Sequence, residues 1–218
     1  PCHAIALKVA LTVGVDFLFN VTITRDRKIA GIYCGDLEAA HVAGCEEVAD
    51  WTTAEIDEPF DLVITNGGGA PLDQTFYQTV KGMCTSLPAL AQGATLLQVS
   101  HCGEKLGSDH YTKLMCCWGE DWRGFLKHIE ANRHETQLDQ WEFQMQARVL
   151  DRIGVEGLVL ATDGISPEVM ARIAVTPAPG EGDAASRAQA FIDAFCATNP
   201  TARIAVIPDG PYTLLRRK

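Results

Sequence analysis

The sequence predicts an α/β fold: an open, mostly parallel sheet with helices on both faces, preceded by a small helix–hairpin–helix segment. After residue 57, short apolar runs alternate with longer stretches in which apolar residues recur every three or four positions. Such alternation is typical of parallel strands joined by helices. Before residue 57, two strand-like runs flank the polar residues 24–27, as in a hairpin. We therefore predict two parts, residues 1–56 and 57–218.

The first part contains four predicted elements. A helix over residues 1–12 ends before Gly14, strands cover residues 17–23 and 28–34, and a second helix covers residues 37–51. Asp36 is a good N-cap for that second helix, because its carboxylate accepts from the free N–H groups of the first turn. The chain begins with Pro1 rather than Met, which leads us to expect a piece of a longer protein.

The second part contains the predicted sheet. We place its strands at residues 61–65, 93–100, 157–161, 172–176 and 203–207. One helix follows the first strand and starts at Pro71 or Asp73, since a proline is tolerated in a first helical turn. The other predicted helices lie near residues 86–92, 111–118, 122–132, 140–153, 167–171 and 184–197.

Composition excludes several classes of protein. The chain has 218 residues and a net charge of −10, which disfavours a nucleic-acid partner because phosphates would be repelled. No apolar run reaches the ~18 residues of a membrane span, and no signal peptide is visible. The eight cysteines contain no C-x-x-C pair, so we expect reduced core cysteines, a cytoplasmic protein and no metal ligands, Cys116 and Cys117 included.

A glycine loop after the first strand is the strongest candidate site. Asn66, Gly67 and Gly68 end the strand, and the next helix should bury Phe76, Val80 and Met83. Its other face would carry Gln74, Gln78 and Lys81, which are stacked by their spacing. Exposed glycine amides at a helix N-terminus, with an amide and an ammonium nearby, suit a carboxylate or a phosphate.

Simpler interpretations of the same residues stay open. Three glycines are commonly a tight turn, and a Gln and Lys face is commonly solvated. Lys81 could also complement the helix dipole near a helix end, with Gly82 just after it. A lone His101 in the polar loop 101–108 is more often structural than a base. Asp139 with Glu142 resembles a capping box that precedes a buried stripe beginning at Trp141.

The residues around the glycine loop resemble the C-terminal domain of nickel-dependent lactate racemases. The string Asp139-Gln140-Trp141-Glu142 is similar to a D-Q-W-Q string of that family, with Glu142 in place of Gln. The closing stretch, residues 206–213, resembles the family as well. The other matching residues are 61–65, Asn66-Gly67-Gly68, Pro71-Leu72-Asp73-Gln74 and Tyr77-Gln78-x-Val80-Lys81-Gly82.

The resemblance implies an isomerase, a racemase or epimerase of 2-hydroxy acids that uses a nickel-pincer nucleotide. It implies that Gln78 and Lys81 hold the substrate, with Tyr77 beside them and Trp141 lining the pocket. The histidines, the cofactor-tethering lysine and the nickel ligand of the family match no segment here, so we expect no catalytic residue in this chain. Residues 1–56 would then be the tail of an N-terminal domain that binds most of the cofactor.

Two other functions remain open at this stage. A non-catalytic domain that binds a small carboxylate would need only the loop and the Gln78 and Lys81 face. A dinucleotide-dependent oxidoreductase is disfavoured, because no strand is followed by the required glycine spacing and an acidic residue. The choice among 2-hydroxy acids depends on a few pocket side chains, so lactate, malate-like acids and sugar acids all fit the pattern.

Overall fold

The computed structural model describes residues 2–218, and the chain divides into two compact units between Thr53 and Ala54. Asp36 caps the second helix of the N-terminal unit as expected, accepting from the N–H groups of Glu38 and Ala39 at 3.1 and 2.9 Å. Our division at residue 57 stays a prediction. The elements of this unit are helix α1 (Cys2–Val13), the antiparallel strands β1 (Leu18–Ile23) and β2 (Ile29–Gly35), and helix α2 (Leu37–Thr52).

Five parallel strands form the sheet of the C-terminal unit, in the order β7-β6-β5-β4-β8. A separate two-stranded sheet pairs β3 with β9. The strands are β3 (Thr53–Ile56), β4 (Phe60–Asn66), β5 (Leu90–Val99), β6 (Leu158–Ala161), β7 (Thr176–Pro177), β8 (Ile204–Ile207) and β9 (Leu214–Arg217). The helices are α3 (Phe76–Thr85), α4 (Asp109–Trp118), α5 (Trp122–Ala131), α6 (Gln140–Gly157), α7 (Pro167–Arg172) and α8 (Ala184–Thr198).

Apolar residues on both faces of the sheet explain why helices cover both sides. Successive side chains of a strand point to opposite faces, so an all-apolar strand needs a cover on each face. Leu97 packs in the cluster that includes Phe191 of α8, whereas its neighbour Leu96 packs in the larger cluster with residues of α3 to α6. The predicted fold class is confirmed.

Two predicted elements are much shorter in the structure than expected. The strand expected at residues 172–176 is reduced to the two residues of β7, because Ala174 has a positive φ of 56° and the apolar side chains before it are buried in a turn. The helix expected at residues 86–92 is one 3-10 turn (Leu87–Ala89), since β5 already begins at Leu90. Both stretches are apolar for burial in the core, and periodicity alone does not distinguish the possible conformations.

The cysteines are not the core residues that we expected. All eight are free thiols, but five are exposed and only Cys102 is buried. Cysteine can pack in a core as a small apolar residue, but its burial depends on which face of a helix or strand carries it. The presence of cysteine alone therefore did not predict burial. Separately, no helix within residues 2–218 has the length and apolar composition needed to cross a membrane.

Helix α3 begins later than predicted. Its N-cap is Thr75, and Pro71 and Asp73 lie instead in and beside a 3-10 turn (Leu72–Gln74). Gly82 lies inside the helix, where a Cβ would overlap the carbonyl oxygen of Asn66 at the end of β4. Gly82 is therefore required for close packing against a strand and does not end the helix, so it gives no support to the helix-end interpretation of Lys81.

We predict that Gly82→Ala destabilises the C-terminal unit by about 1–3 kcal/mol, because the added methyl group meets backbone that has little freedom to move. Urea denaturation followed by circular dichroism measures this loss. Gly44→Ala in α2 is the matched control, since its Cβ would meet only the movable Tyr33 ring at 3.2 Å. Equal losses in the two variants would contradict the proposed role of Gly82.

Candidate functional site

The half-buried face of α3 carries the polar residues that the sequence singled out. Phe76, Val80 and Met83 are fully buried, as the predicted stripe requires. Gln78 and Lys81 are partly exposed, and Lys81 Nζ donates a hydrogen bond of 2.5 Å to Gln78 Oε1. The ammonium and the amide therefore act as one unit, with the charge held against the helix surface.

The N-terminus of α3 is closed to ligands. The N–H groups of its first two residues donate to the carbonyls of Lys105 and Leu106, at 2.8 and 3.1 Å. The N–H group of Gln78 donates to Thr75 Oγ at 3.3 Å. A helix N-terminus attracts an anion through such donors, and here the protein already uses them.

The glycine loop is likewise bonded to the protein. Gly67 N donates to the carbonyl of Val99 at 3.2 Å, and Gly68 N donates to the side-chain oxygen of Asn66 at 2.9 Å. The Asn66 amide in turn donates to the carbonyl of Pro208. The expectation that these glycine amides are exposed to an anion is wrong, and Asn66, Gly67 and Gly68 hold the loop in position beside α3.

Three aromatic rings form a wall next to the polar face. The Tyr77 ring meets Tyr111 edge-on, with a centroid distance of 5.1 Å, and meets Trp141 edge-on at 5.9 Å. Tyr111 is fully buried, whereas Trp141 is 50% exposed. Trp141 is thus not the core residue that its helical stripe indicated, and it presents an open ring on the same side as Tyr77.

A cleft of about 360 Å³ opens beside Tyr77 and Gln78. Lys81 and Trp141 do not line it themselves, but they adjoin it through their contacts with Gln78 and Tyr77. The other side of the cleft comes from the polar, glycine-containing loop 101–108, which follows a strand of the sheet as loop 66–70 does, and from Asp139 at the start of α6. The cleft is lined by Thr75, Tyr77, Gln78, Glu104, Gly107, Ser108 and Asp139.

The predicted capping box at the start of α6 does not form. Asp139 has a left-handed φ of 63°, and its carboxylate accepts from the Ser108 hydroxyl at 2.7 Å instead of capping the helix. Glu142 turns inward and is 1% exposed, and its two carboxylate oxygens have no hydrogen-bond partner within the described part of the chain. Tertiary packing has placed an unpaired, buried carboxyl group on the helix that packs against α3.

Burial changes the acidity of this region. It raises the pKa of Glu142 to about 7, although the nearby charge of Lys81 opposes the shift, and Asp139 adds to it. Burial also raises the pKa of the Cys84 thiol to about 12 and the pKa of the Tyr77 hydroxyl, and in both cases the Glu142 charge contributes. Glu142 is consequently the group beside this face that changes charge near neutral pH.

His101 lies at a different place, beyond the ends of β5 and β6. Its Nδ1 is 2.8 Å from Asp163 Oδ1, and its side chain is about half exposed. A cavity of about 310 Å³ nearby is lined in part by Lys105 and Asp163, but Lys105 Nζ already donates to the carbonyl of Gly164 at 2.7 Å. The structure does not bring His101 to the Gln78 and Lys81 face, and a catalytic role for it stays a prediction.

The donor set for a metal is incomplete in this chain. Within residues 2–218, no three His, Cys, Asp or Glu side chains converge as metal ligands do. Cys116 and Cys117 have no such partners either. The described residues therefore do not fit a nickel site by themselves.

Comparison with known proteins identifies the relatives of this arrangement. The family model of the lactate racemase C-terminal domain matches residues 56–214. The lactate racemase of Thermoanaerobacterium thermosaccharolyticum is 32% identical over 218 residues, which are all of this chain and 49% of that protein. The lactate racemase of Lactiplantibacillus plantarum is 30% identical over 209 residues, 95% of this chain and 47% of that protein. The chain thus spans about half the length of these relatives.

Solved structures agree with the sequence comparison. The lactate racemase apoprotein from Thermoanaerobacterium thermosaccharolyticum superimposes with a TM-score of 0.81 at 32% identity, covering 96% of this chain and 48% of that one. A protein from Thermotoga maritima superimposes with a TM-score of 0.61 at 16% identity, covering 93% of this chain and 49% of that one, and shows the fold alone. The family predicted from the sequence is therefore confirmed.

We predict that Glu142→Gln stabilises the protein at pH 8 by about 1–3 kcal/mol. The carboxyl group has its pKa raised from 4.5 to about 7 on folding, so between these values the folded state holds a proton that the unfolded state lacks. Stability is therefore lost as pH rises through this window, and glutamine has no such loss. Chemical denaturation at pH 4.5 and pH 8 measures the difference.

Glu156→Gln is the matched control for this prediction, since Glu156 is an exposed glutamate of the same helix. Its unfolding free energy should differ from that of the parent by the same small amount at both pH values. A Glu142→Gln effect that is equally independent of pH would contradict the prediction.

Proposed function

This chain belongs to the family of lactate racemase C-terminal domains, and on that premise we propose that it holds the substrate in a larger 2-hydroxy acid racemase or epimerase, an isomerase. One observation carries the proposal. Lys81 and Gln78 are joined by a 2.5 Å hydrogen bond on the half-buried face of α3, beside an aromatic wall and a cleft. A charge and an amide in this position are suited to a small hydroxy acid.

The two polar groups provide complementary contacts. The Lys81 ammonium is the partner for the acid group, because a charge-assisted bond to a carboxylate is roughly twice as strong as a neutral one. Gln78 Oε1 already accepts from Lys81, so the two N–H donors of the amide remain for the oxygen on C2 of the substrate. An acid with an oxygen on C2 thus meets both groups at once.

Racemisation requires that a planar intermediate stays bound while its faces exchange. A two-point hold at the acid group and the C2 oxygen keeps the reacting carbon in place, and this restriction of motion lowers the barrier. Tyr77, which precedes Gln78 on α3, meets the half-exposed Trp141 ring edge-on. Their rings would cover the ligand and displace water, which strengthens the contacts beneath them.

We assign the cofactor to the part of the relatives that this chain does not span. The resemblance implies a nickel-pincer nucleotide, but residues 2–218 offer no set of three converging metal ligands. The proton-transferring groups and most of the cofactor site would come from the N-terminal half of a lactate racemase chain. A cytoplasmic location is part of the same proposal.

We predict that Lys81→Met weakens lactate binding by at least about tenfold, since loss of a charged hydrogen bond costs roughly 1.5–3 kcal/mol. Ligand-observed NMR titration of the 218-residue chain at pH 6 measures the affinity. Lys127→Met removes the same charge from an exposed position on α5 and should leave the affinity unchanged. Equal weakening by the two variants would show a general charge effect and contradict the assignment.

Comparison of lactate with propionate tests the contribution of the hydroxyl group. Propionate lacks the C2 oxygen that Gln78 would contact, so we predict weaker binding of propionate by about threefold to tenfold. Gln78→Ala should remove the preference, whereas the exposed Gln189→Ala should retain it. Equal affinity for the two acids in the unmodified chain would favour a simple carboxylate-binding domain over the proposed function.

We also predict that this chain alone does not racemise lactate. Its described residues contain the holding groups but no group that we assign to the chemistry, and holding a substrate does not supply a proton or hydride acceptor. A chiral assay of D-lactate and L-lactate with the isolated chain measures conversion. Turnover above that of the Lys81→Met variant would show that the catalytic groups are in this chain after all.

A further inference from the structure

Glu142 is a buried charged group next to the site that the proposed function does not use. Its side chain is 1% exposed, and both carboxylate oxygens lack a hydrogen-bond partner within the described residues. The hydroxyl of fully buried Tyr111 also lacks one. Buried polar groups are nearly always paired, and an unpaired one indicates a role or a missing partner. An unpaired carboxylate in such a place is costly unless it takes up a proton.

The groups that act electrostatically on Glu142 lie on the elements packed around it. These groups are Lys81 on α3, which favours the ionised form of Glu142, and Asp139 just before α6, which opposes it. The Glu142 charge in turn acts on Tyr77 and Cys84 of α3 and on Tyr111 of α4, and the cation Arg148 of α6 acts on Cys84. Lys81 Nζ is nevertheless bonded to Gln78 rather than to Glu142. The ammonium is thus shared electrostatically between the open face and the buried carboxyl group.

We propose that Glu142 couples anion binding at Lys81 to the uptake of one proton: the site holds a carboxylate ligand when the Glu142 side chain is neutral. This inference rests on the proposed function, because it takes the anion site to be the Gln78 and Lys81 face. When Glu142 is ionised, its charge competes for Lys81 and repels the incoming carboxylate. When it is neutral, the full charge of Lys81 faces the ligand.

The coupling follows from the linkage of charge to ligand binding. An anion that arrives beside Lys81 places a second negative charge near Glu142, and a like charge raises the proton affinity of a carboxyl group. Binding therefore draws a proton from solvent onto a Glu142 oxygen, and no other bond changes. The factor by which a bound ligand raises the proton affinity of Glu142 must equal the factor by which a proton on Glu142 raises the affinity for the ligand.

The size of the effect follows from the raised pKa of Glu142. With a value of about 7, roughly 90% of the chains carry the neutral form at pH 6, but only about 3% carry it at pH 8.5. If the neutral form alone binds, the observed affinity falls about 30-fold between these pH values. Lactate is ionised at both, so the ligand does not contribute to the change.

The experiment measures lactate affinity at pH 6 and pH 8.5 by ligand-observed NMR. We expect the lactate affinity of the unmodified chain to fall about 30-fold from pH 6 to pH 8.5. The affinity of Glu142→Gln should change by less than about threefold and stay near the pH 6 value of the unmodified chain, because an amide of the same shape remains neutral. Glu156→Gln, which removes an exposed carboxylate from the same helix, should lose affinity as the unmodified chain does.

A second measurement needs no variant. Calorimetry of lactate binding at pH 7, in two buffers with different ionisation enthalpies, should show uptake of about half a proton per ligand by the unmodified chain. Lactate binding with neither proton uptake nor pH dependence would overturn this inference and leave the proposed function intact. The inference would also be overturned if Glu142→Gln lost affinity at pH 8.5 as strongly as the unmodified chain does. No binding at either pH, in the parent and in Glu142→Gln, would overturn the proposed function as well.

Discussion

The close approach of α3 to the end of β4 is the constraint on which the site depends. The helix passes so near that only a glycine fits at position 82, against the carbonyl of Asn66. At the other end, the carbonyls of Lys105 and Leu106 hold the first N–H groups of the helix. These contacts fix α3 in position, so that Gln78 and Lys81 are both half-buried and Gln78 borders the cleft.

This partial burial determines how strongly the charges act. A lysine on an open surface interacts weakly with its neighbours, because water screens it. Lys81 is partly covered and bonded to Gln78, and its charge acts on the buried carboxyl group of Glu142. The packing that orients Lys81 and Gln78 therefore also exposes their charge to the influence of Glu142. If Glu142 couples proton uptake to anion binding as we propose, one side chain links the stability of the protein to its affinity for the ligand.

Prediction from sequence succeeded where local periodicity and three-dimensional position agree. The three-residue and four-residue spacing of Phe76, Val80 and Met83 defines the buried side of α3, and Gln78 and Lys81 must then lie elsewhere. It failed where a tertiary contact overrides a local signal. Asp139 and Glu142 have the spacing of a capping box, but the first bonds to Ser108 and the second is buried.

Residue types at short separations were sufficient to predict the alternation of strands and helices, the family, and which face of α3 is polar. Three-dimensional contacts were needed to show that the Gly67 and Gly68 amides are already bonded, that Gly82 lies against a carbonyl, and that Trp141 is exposed while Glu142 is buried. Each of these results depends on residues far apart in the chain. Whether a polar group is free, paired or buried is a property of its neighbours in space, and local sequence does not specify those neighbours.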